Sequence, residues 1–173
     1  MSVSLGGGTL HHWVNKNYLS KLNKPEIHIY DNDVSKYKTV VDEVNTRSSS
    51  WACTTSMREI ENYIHPILIK NLYPISEDFC ELVPGWVEDW KHRDVPKTLS
   101  EFLKKLKREG NTRIIGEGSE SIKRAFSEKG AKLLTVEHLR ELGAYDEVEG
   151  WFNKIKQFLN QDQSTQITIN LNQ

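Results

Sequence analysis

Polar and apolar positions alternate along Glu26-Ile-His-Ile-Tyr30, and a period of two with β-branched side chains predicts a short strand. The spacing then becomes helical. Val40, Val41 and Val44 share one face of a helix expected over Lys36 to Val44, and after the loop Arg47-Ser-Ser-Ser50 the run Trp51-Ala-Cys-Thr-Thr55 predicts the next strand. Upstream, Ser2-Val-Ser-Leu5 reads as a strand entering the permissive turn Gly6-Gly7-Gly8. Thr9 then caps a helix carrying Leu10, Trp13, Val14, Tyr18 and Leu22 that stops at Asn23-Lys24-Pro25. The resulting β-α-β-α-β order predicts an α/β fold, a parallel sheet flanked by helices, with ligands gathering outside the carboxyl ends of the strands.

From Arg58 the spacing of Ile60, Tyr63, Ile64 and Ile67 is near-helical until Pro66 disturbs it. Leu72 to Pro96, rich in Trp and Pro, is expected to be irregular. Leu99 to Glu109, Ser119 to Lys129, Thr135 to Leu142 and Asp146 to Leu159 read as amphipathic helices, with Gly110, Gly130 and Gly143 just past helix ends. An α-helical subdomain therefore follows the sheet. The expected organisation is an α/β part over 1–72, an irregular connection over 73–97, the helical subdomain over 98–160 and a polar tail over 161–173. In that tail, Gln166-Ile-Thr-Ile-Asn-Leu171 alternates like an edge strand, while its amide-rich composition equally suits disorder.

Composition narrows the function classes. A chain of 173 residues with 37% hydrophobic content can bury a core, and a formal net charge of −1 excludes a strongly basic polyanion-binding protein. Any nucleic-acid role must rest on a local patch or a bound metal. The two cysteines, Cys53 and Cys80, lack metal-ligand spacing and are too few for a disulfide framework, which favours a reducing, cytoplasmic setting. No apolar run approaches the roughly 18 residues of a membrane span, and no membrane partner is expected.

The chemistry concentrates at two places. Asp31 and Asp33 leave the strand Glu26–Tyr30 two residues apart, a spacing that on extended backbone points both carboxylates to one side and lets them share a hard divalent cation, Mg2+ or Mn2+. Asp-Asn-Asp is also an ordinary turn sequence whose side chains bond to nearby backbone. Ser56-Met-Arg58-Glu59-Ile-Glu61-Asn62-Tyr63 follows the next strand and could open on the same sheet edge. Within a helix Glu59 and Glu61 point about 200° apart, so only one of them is expected to face the site unless the helix begins after Glu59, and Glu59 is the favoured ligand. Glu61, Asn62 and Tyr63 are then hydrogen-bonding support. Ser56 with Glu59 equally forms a helix-capping box. Lys123 is a candidate for steadying charge on a phosphate, and Lys104-Lys-Leu-Lys-Arg108 is either a phosphate contact or a solvated face.

The remaining suspects are better read structurally. Gly6-Gly7-Gly8 lacks the residues that complete a nucleotide-binding loop, His11-His12 diverge on a helix, and Trp86, Trp90, Trp151 and Phe152 are expected to pack rather than stack on bases.

Taken in order, Ser4-Leu-Gly-Gly-Gly8, Ile27-His-Ile-Tyr-Asp31-Asn-Asp33 and Arg58-Glu-Ile-Glu-Asn-Tyr63 resemble the TOPRIM segment of the OLD (overcoming lysogenization defect) family of nucleases. Ile122-Lys-Arg-Ala-Phe126, Leu134-Thr-Val-Glu137 and Glu147-Val-Glu-Gly-Trp-Phe-Asn-Lys-Ile155 resemble its helical end, so the likeness spans about residues 3 to 160. The resemblance implies a DNA endonuclease with two divalent ions, fused to or partnered by an ABC-type ATPase and used in phage defence. It also implies metal ligands at Asp31, Asp33, Glu59 and Ser56, support from Arg58, Glu61 and Asn62, and a catalytic lysine at Lys123.

TOPRIM domains begin with a strand carrying a glutamate, an element expected before Ser4-Leu5 and not found there. The chain therefore reads as a fragment, an excised domain or a split gene product whose ATPase partner supplies the missing strand, and is expected to be weakly active or inactive by itself. The open sheet position invites self-association into a homo-oligomer or strand donation by a partner. Two other readings remain. One is a haloacid-dehalogenase-like phosphatase with Asp31 as nucleophile, in Asp31-Asn-Asp33-Val34. The other is a non-catalytic TOPRIM-like interaction module.

Overall fold

A computed structural model describes residues 25–73, 89–110, 116 and 118–171, those after 160 as backbone only. The strand expected at Ser2–Leu5, the Gly6–Gly8 turn, the helix after Thr9 with His11 and His12, and the residues Cys80 and Trp86 lie outside the described residues. The chain is mixed α/β and divides into two compact units, one holding described residues 25–30, 34–54 and those from 149 onward, the other 31–33 and 55–148.

In the first unit, β1 (Glu26–Tyr30) pairs in parallel with β2 (Ser50–Thr54), with Glu26 opposite Ser50 and Tyr30 opposite Thr54. Between them runs α1 (Lys36–Asn45). Both strands and the helix stand within a residue of their expected bounds, because β-branched alternation and the valine stripe act over a few residues and need no distant partner. Val44 and Ala52 are buried, with Tyr30, Val40 and Val41 packed against them. Glu26, His28 and Tyr30, which share one face of β1, form a polar ladder: the Tyr30 hydroxyl is 3.1 Å from His28 Nδ1, and His28 Nε2 is 3.0 Å from Glu26. Burial in this stack raises the Tyr30 hydroxyl to a pKa of about 12.

β2 is held on a second side by a single amide. Asn45, the last residue of α1, accepts the Ala52 N–H at 2.8 Å and donates to the Ala52 carbonyl at 3.0 Å, so one side chain satisfies a full backbone donor–acceptor pair as a neighbouring strand would.

In the second unit, two 3-10 turns (Ile60–Tyr63 and Pro66–Leu68) lead into the short helix α2 (Ile69–Leu72). The near-helical spacing expected from Arg58 is thus realised as two tight turns, because Glu59 is extended and Pro66 interrupts the backbone ladder. α3 (Val95–Arg108) starts four residues before its expected position: Asp94 caps it by accepting the Lys97 N–H, and Pro96 occupies the first turn, where no backbone donor is needed. Leu99 and Leu103, one turn apart, are fully buried, and their helix packs against α4 (Ser119–Ala125), whose Ile122 is buried, as is Phe126 just beyond it.

Gly130 does not end a helix as its position suggests. α4 passes through a π-helical segment (Phe126–Gly130) into α5 (Ala131–Leu133), and Gly130 lies where a Cβ would stand 3.4 Å from Ile64 and Leu72 side chains. Close packing, not chain reversal, uses the glycine. Gly143 does terminate a helix. At the end of α6 (Val136–Glu141), with φ +66°, it donates to the Arg140 carbonyl while Ala144 donates to that of Leu139. These paired bonds close the helix and need the left-handed conformation that glycine adopts freely. The turn delivers the chain into α7 (Tyr145–Leu171), which continues through the segment that reads as an edge strand or disorder. Trp90 is core as expected, whereas Phe152 is exposed.

Replacing Asn45 by Ala removes both bonds to Ala52 and strands two backbone groups. The expected loss is about 2 kcal/mol, at about 1 kcal/mol per net hydrogen bond. Urea denaturation of wild type and Asn45→Ala, followed by circular dichroism, measures it.

Candidate metal centre

Tyr30 and Thr54 stand side by side at the carboxyl ends of the two strands, and the residues that follow them, Asp31 and Thr55, enter the second unit. Two bonds fasten the loops together there. The Asn32 N–H donates to the Arg58 carbonyl at 2.9 Å, and the Ile60 N–H donates to Asp31 Oδ1 at 2.9 Å. Arg58 donates its own N–H to the Lys91 carbonyl at 2.8 Å, and its guanidinium lies 3.9 Å from Asp94.

Glu59 and Glu61 reach the same place as Asp31. Glu59 has extended backbone (φ −148°, ψ 166°) and stands outside the 3-10 turn that contains Glu61. The helix begins after Glu59, which is the one condition under which two residues of that spacing can converge. Asp31, Glu59 and Glu61 each offer a carboxylate oxygen within 4.8 Å of the others, the one such group of three among the described residues.

The geometry is held from beneath by Asn62, which has no exposed surface. Its Oδ1 accepts the Glu59 N–H at 3.2 Å, and its Nδ2 donates to the carbonyls of Trp90 and, at 3.0 Å, Arg93. Trp90 returns a bond from its indole N–H to the Asn62 carbonyl at 2.7 Å. The tryptophan therefore fixes an amide, and the amide fixes the backbone of a carboxylate.

Lys123, from α4, places its ammonium 3.0 Å from Glu59 Oε2 and 3.7 Å from Glu61 Oε1. Two carboxylate oxygens, Glu59 Oε1 and Glu61 Oε2, are buried without a hydrogen-bond partner. Burial raises the carboxyl pKa of all three acids, and neither the Ile60 N–H at Asp31 nor the Lys123 charge at the glutamates cancels it. Burial alone pulls the Lys123 ammonium down, but its hydrogen bond to Glu59 and the charges of Glu61, Glu59 and Asp31 outweigh that effect and raise its pKa. Three carboxylates against one ammonium leave an excess of negative charge, together with buried lone pairs that a cation, a proton or a further hydrogen-bond donor can satisfy. The donors are all hard oxygens, which suits Mg2+ or Mn2+.

Of the residues singled out in the sequence, Asp31, Glu59, Glu61 and Lys123 come together, and Asn62 supports them. Asp33 is exposed and outside the group of three. Ser56 neither caps a helix nor joins the acids; its hydroxyl and N–H both bond to Glu147. Lys104, Lys105, Lys107 and Arg108 lie on an exposed face of α3. Sequence reasoning missed Glu147 and the role of Trp90. An acid in the first turn of a helix was visible at Glu147, but nothing in its spacing tied it to a loop more than 80 residues earlier.

Comparison with protein-family models, with curated proteins and with solved structures gives no match. Among the described residues no helix is long and apolar enough to cross a membrane.

The raised carboxyl groups fix the sign of a pH effect. A folded acid with a raised pKa takes up a proton more readily than the unfolded chain, so it destabilises the metal-free fold as pH rises above the ordinary carboxylate range. Lys123, whose pKa is also raised, contributes stability at neutral pH that is lost only at alkaline pH. Glu61→Gln should therefore melt above wild type at pH 7 in EDTA, with the gain shrinking toward zero at pH 4. Thermal melts at the two pH values check this, and a pH-independent difference would contradict the electrostatic account.

Proposed function

We propose that this chain is a TOPRIM-like, divalent-metal-dependent nuclease domain that hydrolyses phosphodiester bonds in DNA. The observation that carries the reading is the convergence of Asp31, Glu59 and Glu61 on one point, with two buried carboxylate oxygens lacking partners beside Lys123. Support comes also from where the acids stand in the chain. Asp31 directly follows β1 and the glutamates follow β2, the place where parallel α/β sheets carry their ligands. The sequence resemblance to the OLD family supplies the substrate class and the ATPase partner.

In this reading Asp31, Glu59 and Glu61 hold Mg2+ or Mn2+, and Asp33 stands beside Asp31 as the acid available to a second ion. A divalent ion held there would polarise a phosphoryl oxygen and lower the pKa of its bound water, making hydroxide available nearer neutral pH. The chain's own residues do the rest. Lys123, kept protonated by its acidic neighbours, gives a fixed positive charge where a phosphate approaches, which favours the extra negative charge of the transition state. Asn62 and Trp90 keep Glu59 from swinging away. The exposed lysines of α3 attract the DNA backbone without reading its sequence, so binding weakens as salt rises.

The test is cleavage of supercoiled plasmid in Mg2+ and in Mn2+, combined with calorimetric Mn2+ titration, for wild type and for Asp31→Asn with Glu59→Gln. Wild type should bind Mn2+ and nick the plasmid, and the double variant should lose on the order of 100-fold in rate together with the binding heat. Absence of both cleavage and Mn2+ binding in wild type would refute the proposal. Hydrolysis of a small aryl phosphate, lost in Asp31→Asn while plasmid stays intact, would instead favour a phosphatase acting through Asp31. Mn2+ binding without any turnover would favour a non-catalytic module.

A further inference from the structure

The metal-binding loop is closed at both ends by one side chain that belongs to neither end. Glu147, in the first turn of α7, accepts the Ser56 N–H at 2.8 Å and the Ser56 hydroxyl at 2.5 Å. It also accepts the Tyr63 hydroxyl at 2.5 Å. Ser56 and Tyr63 are joined directly as well, since the Ser56 N–H reaches the Tyr63 hydroxyl at 3.2 Å. Tyr63 is 4% exposed, so its hydroxyl has little recourse to water. Between these two residues lie Glu59 and Glu61.

From this arrangement we infer that Glu147 is a positioning residue for the metal centre, a carboxylate clamp that fixes the span from Ser56 to Tyr63 and thereby the convergence of Glu59 and Glu61. The inference rests on the metal-binding reading above and adds to it a residue that touches neither ion nor substrate.

The physical argument is one of conformational freedom. Glu59 is in extended backbone and Glu61 is in a short 3-10 turn, and such turns have poorer hydrogen-bond geometry than an α-helix and little stability of their own. With an excess of negative charge among three buried acids, repulsion favours opening the loop and separating the two glutamates. Asn62 restrains the loop from its middle. Glu147 restrains its two ends, with three charge-assisted bonds that are each stronger than a neutral one. The Schellman turn at Gly143 sets where the carboxylate stands, because it fixes how the chain enters α7.

Glutamine at 147 keeps the size of the side chain but removes its charge and leaves one oxygen to meet three donors. Outer-shell partners of metal ligands typically change metal affinity by about 10- to 100-fold. Glu147→Gln should therefore weaken Mn2+ binding by about 10-fold or more, and Tyr63→Phe should weaken it by a similar factor. Because both substitutions break one clamp, the double variant should bind little worse than either single one.

The measurement is Mn2+ titration by calorimetry of the full chain at a temperature where circular dichroism shows every variant folded, with Asp31→Asn as the reference for lost ligands. A clamp without bearing on the site would lower the melting temperature and leave the Mn2+ affinity of the folded protein unchanged, and that result would overturn the inference. So would additive losses in the double variant. If Glu147→Gln does not fold, Tyr63→Phe and Ser56→Ala carry the same test, since each removes one donor and leaves the carboxylate in place. Wild-type binding no tighter than Asp31→Asn would overturn the metal-centre reading itself, and the clamp with it; wild-type binding that Asp31→Asn loses and Glu147→Gln keeps would overturn the clamp alone.

Discussion

Two glutamates of the same loop, with one residue between them, must turn toward one point, and the second unit is arranged around the backbone that lets them do so. Extended Glu59 followed by the 3-10 turn Ile60–Tyr63 produces the convergence that an uninterrupted helix would forbid. This conformation is not one the local sequence would hold alone. It persists because Asn62, buried and bonded to Glu59, Trp90 and Arg93, joins it to the segment that leads into α3. The burial of Trp90 and of Leu99 and Leu103 thus has a consequence beyond packing: the hydrophobic core sets the position of a charged site.

The site is costly to the fold that contains it. Carboxylates removed from water without enough partners resist ionisation, and the upward shifts at Asp31, Glu59 and Glu61 share that cause. Lys123 offsets part of the charge while leaving two buried oxygens unpaired. A purely structural role would be served better by apolar side chains of similar volume, since burying charges is at best weakly stabilising. An under-compensated acidic cluster therefore contributes little as a support for the fold and is one that could hold a cation.

What the sequence made legible follows from how far each signal reaches. β1, α1 and β2 stood in the pattern almost to the residue, because alternation and helical spacing are properties of contiguous side chains. Asp31 was visible as the residue directly after a strand's end. The joint use of Glu59 and Glu61 depended on where a helix starts, and the capping signal of Ser56 pointed to the wrong start, since the serine bonds instead to Glu147, 91 residues on. Gly130 misled for a related reason: a glycine needed for close approach to Ile64 and Leu72 looks the same in sequence as one needed for a turn. The alternation in 166–171 was overridden by continuation of α7, whose helical register is set by residues that precede it.

Stability and ligand binding are consequently linked in one direction. Any cation that binds the folded site and not the unfolded chain stabilises the fold by an amount set by its concentration relative to its dissociation constant, about 2.7 kcal/mol at a hundredfold excess over that constant. That is comparable with the cost of leaving a buried polar group unsatisfied, about 1 to 3 kcal/mol. The loop that carries the glutamates is held by Asn62 and the core from folding onward, and a cation bound at the acids would add a restraint that depends on its supply. A site organised this way needs its loop fixed before the ion arrives, or part of the binding energy goes into ordering the loop. Restraint at both ends and at the middle of a loop only eight residues long, from Ser56 to Tyr63, meets that requirement with side chains that never need to contact the ion.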